Sequence, residues 1–282
     1  MAVDDAPGPV RQPGPSAALQ REWVLCAIAA AGSRFLPVPL ADDLVKDRAT
    51  RTAVARTWRA HGRTPAPGVV AVLSGDTTGT LTSLRRTLAR LPLTLLLYPF
   101  RKLRLWVTAV QGVSGDLLQV LVLARSVDRC LASGWFDLED ERELRRRARL
   151  VRRAHDRAIH GGDLRALQLA LGAAVRQVRG LSRQARGFAR DAFGRRAGPI
   201  DGRAPVTAEV PDAGPGGLRS VRDGAEQVEA VLGRPESLRI LGEFDARFDA
   251  ALAALSGAGP APSSGRDDGG DPAVTPPSAK AG

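Results

Sequence analysis

Residues 163–188 read DLRALQLALGAAVRQVRGLSRQARGF, and in this stretch Leu164, Leu167, Leu171, Val175, Val178, Leu181, Ala185 and Phe188 recur at three- and four-residue steps. That period places one apolar stripe on one side of a helix and polar residues on the other. The spacing predicts a single helix beginning near Asp163 and running to Phe188. Gly172, Gly180 and Gly187 punctuate it at nearly heptad intervals. Either a neighbouring helix approaches closely there or the helix tolerates the cost of glycine.

Upstream, the same helical period continues. In residues 143–157, Leu144, Ala148, Val151 and Ala154 form one face, and Arg145, Arg146, Arg149, Arg152 and Arg153 cover the other. Asp137, Glu139, Asp140 and Glu141 precede them, where a helix N-terminus favours negative charge. Gly134 marks a break before them. Residues 91–133, the most apolar part of the chain, predict two helices divided near Gly112 and Gly115, with a bend or stop at Pro99 and Asp116 capping the second. A helix is expected over about 77–90, and residues 69–73 read as a short strand or the start of a helix. A first helix over about 16–31 takes Ser16 as its cap. The proline segment 35–40 breaks it, and Asp42 or Asp43 caps a second helix, with Leu44, Val45, Ala49, Val54 and Trp58 apolar, through His61.

Downstream, residues 197–220 read as a flexible linker. One last amphipathic helix, or a pair interrupted at Pro235, uses Val228, Val231, Leu232, Leu238, Leu241, Phe244, Phe248 and Leu252. Aliphatic residues dominate and aromatic content is 4%, which favours helices packed through Ala, Leu and Val over a β-sandwich. The fold class is therefore all-α, an irregular multi-helix bundle with disordered N- and C-terminal tails. Its parts are a tail at 1–15, a helical domain at 16–196, the linker, a C-terminal helical segment at 221–255 and a tail at 256–282.

Charge is distributed unevenly. The chain carries +11 in total, and residues 139–196 hold 16 basic against 7 acidic side chains, whereas 197–282 hold 8 against 13. A positive middle with an acidic C-terminal quarter suits an anionic partner, or an acidic segment that shields the basic body. Lysine occurs only at Lys46, Lys102 and Lys280. Cys26 and Cys130 each lie in an apolar helical pattern, as buried free thiols in a reducing cytoplasm do. Asp4, Asp5 and several prolines stand where a secretion signal needs a basic start and an apolar core. Arg90 and Arg101 bracket residues 91–100, and Asp116 ends the apolar run before it, so no conventional membrane-spanning helix is expected.

Sites of chemistry are sparse. Asp76-Thr77-Thr78-Gly79-Thr80-Leu81-Thr82 resembles the phosphorylated loop of P-type ATPases and, more loosely, the first motif of haloacid-dehalogenase-type phosphatases, with Thr77 in place of lysine. The resemblance implies that Asp76 attacks phosphate from the end of a buried strand. No matching lysine motif and no paired acids for magnesium follow, so Asp76 as a helix cap is the preferred reading and phosphatase-like chemistry a remote alternative. His155 and His160 are five apart and do not share a helix face as metal ligands would, and His61 sits at a helix end. Asp42, Asp43 and Asp47, with Asp43 and Asp47 four apart, could suggest a cation site, and capping with ion pairing to Lys46, Arg48 or Arg51 is the preferred reading. No catalytic residue, cofactor, metal or small-molecule substrate is assigned.

The informative features are basic. Arg85, Arg86 and Arg90 precede the apolar residues 91–100, Arg101, Lys102 and Arg104 follow them, and Tyr98, Phe100 and Trp106 lie at the boundary. Such flanks suit a helix in a membrane interface, or else a buried helix with solvated ends. Together with Arg145, Arg146, Arg149, Arg152 and Arg153 they point to a non-enzymatic protein that associates peripherally with an anionic lipid surface or an acidic protein partner. Nonspecific nucleic-acid binding is the alternative, since no base-reading motif accompanies the phosphate-binding charge. The segment Phe35-Leu36-Pro37-Val38-Pro39-Leu40-Ala41-Asp42-Asp43, followed by a helix ending at His61-Gly62, resembles the Pro-x-Pro-x-x-Asp segment of EcsC-like, membrane-associated helical proteins of bacteria. That resemblance implies a membrane-proximal setting and supplies no reaction; the expected localisation is the cytoplasm, with the inner face of the membrane as the place of any peripheral contact.

Overall fold

A computed structural model describes residues 15–35, 41–75, 98–178, 184–185, 187–188 and 219–257, with backbone only for 35, 41–42 and 98–111. Its α-helices are α1 (Ala17–Gly32), α2 (Ala41–Ala60), α3 (Pro67–Ser74), α4 (Tyr98–Ala132), α5 (Glu141–His160), α6 (Arg165–Gln177), α7 (Arg219–Leu232) and α8 (Pro235–Ser256). No strand occurs among the described residues, so the chain is all-α. The tails, most of the linker and the segment from Asp76 to Leu97 lie outside the described residues.

The helix α1 is the axis of the packing. Ser16 caps it by accepting from the Leu19 N–H at 3.2 Å. From Trp23 to Gly32 every residue is buried, and Val24, Cys26, Ala27, Ala29 and Ala30 have no exposed surface. Alanines on all sides let α2, α4 and α7 approach it at once. The larger aliphatic and aromatic side chains of those neighbours supply the bulk of the burial, each contributing about 1.5–3 kcal/mol. Several polar groups at these contacts are paired. The Trp23 indole donates to Thr57 Oγ1 at 2.9 Å, Arg56 meets Glu22 at 2.9 Å, and His61 meets Asp128 at 2.8 Å.

The apolar region does not divide where its glycines suggested. α4 runs unbroken through Gly112 and Gly115 for 35 residues. Pro99 stands in its first turn, where a missing N–H costs nothing. Asp116, expected as a cap, is mid-helix and buried, and it receives Arg34 and Lys46 instead, the latter at 2.6 Å. Gly112 makes this possible, because a Cβ there would lie 2.5 Å from the Arg34 guanidinium. The glycine is thus a passage for a side chain from the end of α1, and its cost to the helix is offset by packing and an ion pair.

Three further expectations are corrected. The stripe of 163–188 is not one helix: α6 ends at Gln177 and Val178 is extended, with φ −84° and ψ 108°. Beyond the break, Ala185 and Phe188 are still buried, and Ala185 lies so close to the end of α1 that a Cβ on Gly32 would be 2.7 Å from its carbonyl oxygen. Burial follows the sequence period while the backbone follows that long-range contact. Asp42 and Asp43 do not cap α2, which begins before them at Ala41. Leu44 and Leu238, read as core positions, are 41% and 54% exposed.

Elsewhere the expectations hold. Asp140 caps α5 by accepting from the Arg142 N–H at 3.1 Å, with Glu141 and Glu143 in the first turn. Gly134 turns the chain at φ 72° after α4. Gly172 of α6 packs tightly, a Cβ there falling 3.2 Å from Ser114 Cβ, whereas Gly187, beyond the end of α6, has open space. Both cysteines are buried free thiols, and burial pushes the Cys130 thiol up, away from the reactive thiolate. The C-terminal region forms the pair interrupted at Pro235. α7 packs on α1 and α6, and α8 packs chiefly on α5.

Candidate anionic-surface site

α5 owes its shape to two opposed stripes. Leu144, Ala148, Val151, Ala154, His155 and Ala158 are buried against α3, α4 and α8. At about 100° per residue, Arg142, Arg146, Arg149, Arg153 and Arg157 fall within an arc of roughly 80° on the opposite side. All five are exposed. From Arg142 to Arg157 the row extends about 22 Å at 1.5 Å per residue.

Not every arginine of the helix belongs to this row. Arg145 pairs with Glu141 at 2.6 Å and lies over Gly68 of α3, where a Cβ would meet its Nε at 2.6 Å. Arg152 is mostly buried, donates to the Leu73 carbonyl at 3.2 Å and meets Asp156 at 3.1 Å. Arg147 donates to the Trp135 carbonyl at 2.6 Å and stacks over the Trp135 ring at 5.2 Å, fastening the turn between α4 and α5. These three are engaged within the fold. Arg146 contacts Glu143 at 3.3 Å yet stays 69% exposed, an arrangement worth little in water.

Arg142, Arg149, Arg153 and Arg157 have no ion pair among the described residues, and they are the centre of the candidate site. Arg149 and Arg153 were anticipated in the sequence. Arg142 and Arg157 were not, although their spacing of seven and four residues from Arg149 and Arg153 places them on the same arc. Arg85, Arg86 and Arg90 lie outside the described residues. Arg101, Lys102 and Arg104 stand in the N-terminal part of α4, where only the backbone is described.

The other candidates have structural placements. His160 Nδ1 donates to the Asp156 carbonyl at 2.6 Å at the end of α5, Asp47 pairs with Arg51 at 2.8 Å as expected, and no group of three or more metal-ligating side chains occurs among the described residues. The residues before Asp76 form helix α3, so the strand required by the phosphatase-like motif is absent there. Asp76 itself lies outside the described residues. A shallow depression of about 170 Å³ is lined by Arg129, Cys130, Phe248 and Asp249, and its arginine and aspartate already bind each other. No helix among the described residues is long and apolar enough to cross a membrane. No protein-family model matches the chain, and no curated protein or solved structure does.

Proposed function

We propose that this protein is a non-enzymatic docking module that lies on an anionic membrane surface, at the inner face of the cytoplasmic membrane, through the arginine row of α5. The observation that carries the reading is the set of Arg142, Arg149, Arg153 and Arg157, exposed on one side of one helix and unpaired among the described residues. The apolar side of α5 is occupied by the fold. Contact is therefore electrostatic, without insertion of this helix into the acyl region. Each arginine near an anionic leaflet contributes about 1 kcal/mol, so four contribute about 4 kcal/mol, the scale of a millimolar Kd. That affinity suits reversible, salt-sensitive residence at a surface.

Vesicle sedimentation tests it. Phosphatidylcholine vesicles containing phosphatidylserine are expected to carry the protein down at low salt, and pure phosphatidylcholine vesicles are not. Changing Arg142, Arg149, Arg153 and Arg157 together to Gln is expected to abolish the difference. Equal sedimentation with both vesicles, or an unaltered response in the fourfold variant, rejects the proposal. A salt-dependent shift of duplex DNA without vesicle binding moves the role to nucleic-acid phosphates.

A further inference from the structure

We infer that α8 is an acid-released clasp over α5: proton uptake by His155 opens the α5–α8 interface while the helices around α1 keep their packing. This does not depend on what the arginine row binds.

His155 sits on the inner side of α5 with no exposed surface. Its Nδ1 is 3.1 Å from Ser126 Oγ of α4, and that hydroxyl donates to the Val122 carbonyl at 2.8 Å. The serine hydrogen being committed, its lone pairs face the ring, and Nδ1 carries the imidazole proton. Nε2 is then the basic nitrogen, and it is buried without a hydrogen-bond partner. The ring meets Phe244 of α8 edge-on, with centroids 5.9 Å apart at 77°. A proton arriving at Nε2 would create a buried charge beside an aromatic ring.

Among the described residues, the carboxylates of the adjoining faces of α4, α5 and α8 are already engaged. From α4 come Arg125 and Arg129, and from α8 come Asp245 and Asp249. Arg125 holds Asp245 through two nitrogens at 2.9 and 2.7 Å, and Arg129 bonds Asp249. Arg247 and Glu243 of α8 pair with each other at 3.4 Å. On α5 itself Asp156 is engaged by Arg152. α3, the remaining neighbour, has no titratable side chain between Pro67 and Ser74. Burial first, and the Arg152 charge second, hold the His155 pKa at about 3 against an ordinary 6.5.

Opening exposes the ring and restores its ordinary pKa, so the open form takes up a proton that the closed form refuses between about pH 6.5 and 3. As pH falls from about 7.5 to about 5, the opening equilibrium rises roughly thirtyfold. The release is local because α8 packs chiefly on α5 and touches α4 and α7 at few points, whereas α1 is enclosed by α2, α4 and α7. The turn at Gly233 and Arg234 separates α7 from α8 and serves as the hinge.

Hydrogen exchange of the full chain, corrected for intrinsic rates, is the test. Peptides from α8 are expected to lose about thirtyfold in protection between about pH 7.5 and pH 5, with α1 peptides unchanged, and His155→Leu is expected to remove the response. Loss of protection in α1 and α8 together overturns the inference. So does a His155→Leu protein that keeps the response, which would assign it to the Arg125, Arg129, Asp245 and Asp249 contacts. If that variant does not fold, the imidazole resonance of wild-type His155 decides. No titration while α8 stays protected is expected, and titration near pH 6.5 without loss of protection overturns the clasp.

Discussion

α1 and α5 are helices of similar length that solve opposite problems. α1 is buried on every side from Trp23 to Gly32, and its many alanines serve three neighbours at once. α5 is buried on one side by Leu144, Ala148, Val151 and Ala154 and presents a row of guanidinium groups on the other. The contrast shows that small apolar residues let α1 meet three neighbours at once, and that large charged side chains mark the side of α5 where the bundle meets solvent.

Breaking α1 is expected to have the largest effect. Ala29→Asp places a carboxylate at a position with no exposure, and the several kcal/mol needed to bury that ion is comparable to the whole stability of a domain. Loss of a cooperative thermal transition by circular dichroism is the expected outcome, and a normal melt would refute the central placement of α1. On α5 the two sides should separate cleanly. Leu144→Ala, on the buried side, is expected to cost about 3 kcal/mol in denaturant unfolding. Asp116→Ala comes next, at about 2 kcal/mol, since Arg34 and Lys46 lose their shared anion yet remain partly solvated. The smallest effect belongs to Arg149→Gln, within about 0.5 kcal/mol of wild type in stability. A loss at Arg149 equal to that at Leu144 would show that the row supports the fold and is not a free surface.

Much of this contrast was legible in the chain. The cap at Ser16, the acidic first turn of α5, the break at Gly134 and the interruption at Pro235 all follow from local chemistry that acts within one helical turn. The apolar period of 163–188 correctly marked Leu164, Leu167, Leu171, Ala185 and Phe188 as buried, but it could not show that the backbone turns at Val178. Gly112 read as a helix divider because glycine is a local breaker, and nothing nearby reveals that Arg34 passes over it. Arg146, Arg149 and Arg153 of the five-membered arginine row were visible from helical spacing. Sorting Arg149 and Arg153 from Arg145 and Arg152 required knowing that α3 lies along one edge of α5.

Residue order alone was enough to specify the helical class, the caps at Ser16 and Asp140 and the inward side of α5, since propensity, capping and a 3.6-residue period are properties of neighbours along the chain. Which helix became the centre, which glycine admitted a distant side chain, and which guanidinium groups stayed unpaired were settled by packing. Those outcomes depend on contacts between residues far apart in the sequence, such as Arg34 with Asp116 and His155 with Ser126 and Phe244, whose partners no local pattern announces.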